Sequence, residues 1–229
     1  MITTAMRNLL ALTLIAALTA CGGGGSDAPK PCVAKPIRVQ LFGDSTMRGY
    51  DGMTKMQANP SPATDLQNEM NSRFGPGVVV VSLNATVGAG TKELMEGSAG
   101  YRPFPQDVNA DLIVVNFGIN DQDVVKGVSI DQYEANLRKI VATSPAPVLF
   151  ETPNRTPGDN PRLAAYAQRM RDVAGETADT YTYVNGIPKF ETYFGDLAHP
   201  NTELYRLIVK DSLAPAVATR VASMMCHPS

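Results

Sequence analysis

Five short apolar runs recur along the chain with stretches of helical spacing between them, and this alternation restricts the fold more than any other feature. The runs are Ile37 to Phe42, Val78 to Leu83, Leu112 to Phe117, Val148 to Phe150 and Tyr181 to Val184. The second and third are β-branched and nearly unbroken, as in strands buried on both faces. Between them, Leu66, Met70 and Phe74 form one helical stripe, and Tyr133, Leu137, Ile140 and Val141 form another. Ser129 with Gln132 makes a capping box, and Asn160-Pro161 supplies an N-cap followed by Pro at the first helical position. Leu204, Leu207 and Ile208 begin a terminal helix that Pro215 should kink or break. Strands alternating with helices predict an α/β fold, a parallel sheet covered on both sides. A chain of 229 residues with 44% hydrophobic content fits one such domain with a sizeable core.

In sheets of this kind the site lies at the carboxyl ends of the strands. Gly43-Asp44-Ser45-Thr46 follows the first run, and Asn84 to Thr91, with Gly88, Ala89 and Gly90, follows the second. Gly118-Ile119-Asn120-Asp121 follows the third, and Asp196-Leu197-Ala198-His199-Pro200 lies beyond the fifth. A serine hydroxyl needs a base before it can attack, and histidine is suited to that near neutral pH. The chain has two histidines; His227 is two residues from the C-terminus, a poor place for a held base, which leaves His199. Asp196, three residues earlier, can fix the ring tautomer. Ser45 N–H, the 88–90 loop and the Asn120 amide are the right kinds of donor for a developing oxyanion. Asp44 reads as a structural acceptor in its turn.

These motifs resemble those of the SGNH hydrolases of the GDSL esterase/lipase superfamily. Gly43 to Thr46 resembles block I in a Thr variant, Asn84 to Thr91 block II, Gly118 to Asp121 block III and Asp196 to Pro200 block V. They stand in family order across roughly residues 36 to 225. The resemblance implies a flavodoxin-like three-layer α/β/α sandwich on a five-stranded parallel sheet and a Ser45/His199/Asp196 triad. It also implies ester hydrolysis through an acyl-enzyme, with no metal or other cofactor. The family's oxyanion glycine lies five residues after the block II Asn; here that position is Ala89, flanked by Gly88 and Gly90. The loop donor is therefore left between Gly88 and Ala89, alongside Ser45 and Asn120.

The first twenty residues read as a signal peptide: Arg7, then an apolar stretch from Leu9 to Ala20 too short to span a bilayer. Leu18-Thr19-Ala20-Cys21 resembles a bacterial lipobox, which would make Cys21 the lipidated N-terminus of the mature chain. Gly22 follows instead of Asp, so the resemblance implies the outer membrane, facing the periplasm or the cell surface. Residues 21–35 read as lipidated Cys and flexible tether, and 36–229 as the hydrolase domain. Cys32 and Cys226 flank that domain and, in an oxidising compartment, are expected to pair as a disulfide.

The expected partners are the membrane, through the lipid anchor, and a small ester such as an O-acetylated glycan or a lysolipid; the protein is expected to be a monomer. A net charge of −2 without a Lys/Arg run argues against a nucleic-acid partner. Two histidines and three cysteines are too few for a multi-ligand zinc site, and a two-metal phosphoesterase would need more histidines. The alternative function is a lipid-anchored binding or adhesion module that kept the fold without turnover.

Overall fold

The computed structural model describes residues 35–125 and 127–225; Cys21, Cys32, Cys226, the leader and the tether up to residue 34 lie outside the described residues. The parallel sheet comprises β1 (Ile37–Gly43), β2 (Val79–Ala85), β3 (Leu112–Asn116), β4 (Val148–Glu151) and β5 (Thr177–Ala178). Its strand order is β2-β1-β3-β4-β5, the flavodoxin-like arrangement, with a switch point between β1 and β3. The helices are α1 (Ser45–Arg48), α2 (Pro62–Phe74), α3 (Thr91–Glu96), α4 (Ile130–Thr143), α5 (Pro161–Val173), α6 (Thr180–Asn185), α7 (Thr202–Ile208) and α8 (Ala214–Met225). Among the described residues no helix is long and apolar enough to cross a membrane.

Alternate strand residues feed two cores. Val39, Leu41, Leu112 and Val114 pack with Leu66 and Met70 of α2 and Val217 and Val221 of α8. Phe42, Ile113 and Val115 face the other way, against Leu137 and Ile140 of α4 and Tyr166 and Met170 of α5. The result is three layers, as the motifs implied. The helix starts follow local chemistry. Ser61, Ser129 and Asn160 each accept a hydrogen bond from a backbone N–H in the first turn of α2, α4 and α5.

Four sequence-based expectations need correction. Tyr181 to Val184 is not a strand but part of α6, because Asp179 caps it by accepting from Thr182 N–H; Thr177–Ala178 is the segment that pairs with β4. The second run is not buried on both faces: β2 is an edge strand, with Val80 and Leu83 exposed. Val141 lies at the margin of its helical stripe and is 48% exposed. Only half of the capping box at α4 forms, since the Gln132 amide donates to Asn136 instead of reaching back. The Pro215 expectation takes a specific form. A π segment, Val209–Leu213, joins α7 to α8, and Ala214 N–H donates to the Val209 carbonyl five residues back. Proline has no N–H with which to continue the α-helical pattern at that point.

At the end of β4 the carboxyl of Glu151 is buried and accepts from the Thr180 hydroxyl at 2.8 Å. Burial pushes it up to about 7, against the pull of that hydrogen bond, and the neighbouring Asp44 adds to the rise. A folded-state value above the unfolded one means that the folded state holds the proton more tightly, so stability drains away as pH rises from about 4.5 through 7. The neutral variant Glu151→Gln escapes this loss. Urea unfolding should show its stability relative to wild type growing by about 2–3 kcal/mol between pH 5 and pH 8. For the core, Leu137→Ala should cost about 2–5 kcal/mol in the same assay, while Val141→Ala on the exposed side of α4 should stay within about 0.5 kcal/mol.

Candidate active site

Ser45 is placed by the turn that precedes it. Asp44 caps α1: its Oδ1 accepts from Thr46 N–H at 2.8 Å and from the Thr46 hydroxyl at 2.7 Å. This is the structural role read for Asp44 from the sequence. The helix therefore starts at Ser45 itself, at the end of β1. Asp44 is fully buried; burial raises its carboxyl, while the Thr46 hydrogen bonds and His199 pull the other way.

The structure brings Ser45, His199 and Asp196 together across 154 residues of sequence. Ser45 Oγ lies 2.8 Å from His199 Nε2. His199 Nδ1 lies 3.0 Å from Asp196 Oδ2 and 3.2 Å from Oδ1. A carboxylate can only accept, so the ring proton sits on Nδ1 and the lone pair of Nε2 faces the serine hydroxyl. Asp196 Oδ1 also accepts from the backbone N–H groups of Ala198 and His199. Burial works against its charge, but these hydrogen bonds, the His199 ring and Lys55 outweigh it and hold the carboxyl well below the usual range.

Asn120 and the 88–90 loop meet beside Ser45. The Asn120 amide donates to the Ala89 carbonyl at 2.8 Å and to Asp44 Oδ2 at 3.2 Å, which ties the ends of β1, β2 and β3 together. Among the described residues Gly88 N–H finds no acceptor, whereas Ala89 N–H is held 3.3 Å from the Thr86 carbonyl. Gly90 has a packing role: a Cβ there would come 2.9 Å from Asp121 Oδ2. The buried Asp121 carboxyl in turn accepts from Thr91 at the start of α3, and burial raises it to about 6. A cleft of about 480 Å³ opens here, bordered by Gly88, Lys92, Glu93, Asn120 and Asp123, with Val128 among its lining.

Several supporting residues escaped the sequence reading. Asp51 is the clasp of the histidine loop: Oδ1 accepts from Met53 and Thr54 N–H, and Oδ2 accepts from Thr202 N–H and its hydroxyl. The Tyr50 ring packs edge-on against His199, with centroids 4.8 Å apart. Tyr101 hydrogen-bonds the Gly43 carbonyl and accepts from Thr86 N–H, bracing the 86–90 loop against β1. Lys55 reaches Asp196 Oδ2 at 3.1 Å. The aperiodic stretch Gly49-Tyr50-Asp51-Gly52, directly after the serine turn, was the one visible signal; nothing in the sequence tied it to residue 202.

Similar solved structures share this fold. A lipase/acylhydrolase from Enterococcus faecalis is 18% identical with a TM-score of 0.63, covering 83% of this chain and 96% of its own. An alpha/beta hydrolase enzyme from the metagenome of Lake Arreo, Spain, is 19% identical with a TM-score of 0.61, covering 84% and 98%. An acetylxylan esterase from Geobacillus stearothermophilus is 17% identical with a TM-score of 0.60, covering 83% and 96%. A search of curated proteins gives no match. The GDSL-like Lipase/Acylhydrolase family model matches residues 41–207, from the middle of β1 through α7, and so takes in the serine turn, both loops around Asn120 and the Asp196–His199 pair. By that match the chain belongs to the GDSL-like lipase/acylhydrolase family.

Proposed function

We propose that the protein is a serine esterase that cleaves carboxylic esters through an acyl-enzyme. The observation that carries this reading is the unbroken run of hydrogen-bond contacts from Ser45 Oγ through the His199 ring to Asp196. In the proposed cycle Ser45 Oγ attacks the ester carbonyl as His199 Nε2 takes its proton. The imidazolium then returns that proton to the departing alkoxide, and the alcohol leaves. Water, deprotonated by the same nitrogen, attacks the acyl-enzyme; the carboxylic acid departs and Ser45 regains its proton. Asp196 orients the ring and stabilises its charged form. Ser45 N–H and the 88–89 loop would meet the oxyanion, Gly88 N–H being the more available of the two loop donors, and the Asn120 amide would join them by turning one N–H away from the Ala89 carbonyl or Asp44 that it holds in the free protein. The Geobacillus stearothermophilus acetylxylan esterase supports roles of this kind, since its catalytic mutants include a serine and an aspartate each changed to alanine.

The cleft beside Asn120, whose lining holds neither Ser45 nor His199, would take the part of the substrate next to the triad, and its polar border supports a small acyl group on a polar alcohol, such as an O-acetylated glycan, over a lysolipid. Its border carries Lys92, Glu93 and Asp123, and a long acyl chain gains little from such a lining. The reading places the mature protein in the bacterial envelope as a monomer. There it is held to the outer membrane by lipid on Cys21 and stapled by a Cys32–Cys226 disulfide.

Ser45→Ala and His199→Ala should each lower kcat on p-nitrophenyl acetate by several orders of magnitude, and the double variant should lose little more. Asn120→Ala should lower kcat by roughly 10²–10³ with a smaller effect on KM. A fluorophosphonate should label the wild type but not Ser45→Ala. A folded Ser45→Ala variant with near wild-type turnover sinks the triad, and a wild type that neither labels nor turns over supports the binding-module alternative. For the anchor, Cys21→Ala should move the protein from the membrane fraction to the soluble one, and unchanged partition contradicts lipidation.

A further inference from the structure

Lys55 stands where the proposed mechanism has no assigned role. Its ammonium lies 3.1 Å from Asp196 Oδ2, and the same oxygen lies 3.0 Å from His199 Nδ1. Cation and imidazole thus share one acceptor and are no more than about 6 Å apart, close enough for a charge on one to be felt at the other. The contact is braced from both sides. Asp51 fastens the Lys55 loop to Thr202, three residues past His199, and Lys55 N–H donates to the Asp51 carbonyl. A Cβ on Gly52 would come 2.4 Å from the His199 carbonyl, so the two loops touch backbone to backbone. Lys55 itself holds φ 60, a conformation uncommon for a residue other than glycine.

We propose that Lys55 is a positioning residue that acts through Asp196: by sharing Oδ2 with the ring it offsets the carboxylate's charge and biases His199 toward the neutral form that serves as base. The proposal rests on the acid/base reading of His199 given above. The charged and titratable groups set against the ring are Asp196 beside it, the Tyr50 phenol ring packed edge-on, Asp44 beneath the serine and Lys55 across Asp196. Asp196 and Asp44 favour the imidazolium and Lys55 opposes them. An imidazolium cannot accept the Ser45 proton, so the lysine extends the range of pH over which the base is ready. The Lys55 side chain is 52% exposed, which makes the effect moderate and salt-sensitive.

The chain has two histidines, so His227→Gln leaves the ring signal of His199 alone in a ¹³C-edited NMR titration. In that background Lys55→Gln should raise the midpoint of the titration by about 0.5–1 pH unit at low ionic strength. Lys55→Asn, which suits the positive φ and is also neutral, should do the same. Lys55→Arg should stay within about 0.2 unit of the parent, and molar salt should shrink the gap between charged and neutral variants. The acid limb of kcat/KM should move with the NMR midpoint. Midpoints for both neutral variants that coincide with the parent overturn the proposal, as does an Arg variant that shifts as far as they do. The titration does not depend on turnover. A shifted midpoint in a protein that fluorophosphonate does not label would leave the coupling intact and remove only the esterase reading.

Discussion

Gly43 is paired with Ala85 on one side and Asn116 on the other, and the rest of the molecule depends on that register. Parallel pairing fixes which residues stand opposite one another along three adjacent strands. The last residues of β1, β2 and β3 therefore end flush, and the segments that follow them leave the sheet at one level. A slip of one residue would turn Ser45 and the 86–90 loop away from each other and exchange the residues of the two cores. Hydrogen bonds from Tyr101 and Asn120 then fasten the strand ends together.

The histidine loop obeys a different constraint. No strand delivers it directly. It follows α6 and a 3₁₀ turn, Phe190–Tyr193, and it is held by side chains from elsewhere. Asp51 grips Thr202, Asn154 donates to the Ala198 carbonyl, and Tyr205 hydrogen-bonds the Tyr50 carbonyl beneath the ring. The Asp51 carboxyl accepts enough hydrogen bonds to hold it below its ordinary range despite its burial. It therefore stays charged and keeps its grip across the neutral range.

These two modes of construction explain what the sequence disclosed. Strand runs and the motifs after them are local, so the sheet, the serine turn and the Asn120 turn were legible from periodicity and residue type. Short elements were less so. Tyr181 to Val184 carries β-forming residues, and the cap offered by Asp179 decided for a helix. Whether a strand is central or at an edge depends on its neighbours, so the exposure of Val80 and Leu83 could not be read from a β-branched run. The contacts that steady His199 join residues about 150 positions apart, and no local pattern marks Asp51 or Lys55 as their source.

The distance along the chain between Ser45 and His199 has a consequence for how the protein comes into being. Ser45 emerges early in synthesis and His199 154 residues later. A growing chain that ends before residue 199 carries Ser45 without the imidazole that faces it in the folded protein. The Ser45–His199–Asp196 contact is thereby withheld until the C-terminal third has been made and has docked on the sheet. A copy shortened before residue 196 lacks the ring and the carboxylate together, so the contact with Ser45 exists only in the finished fold.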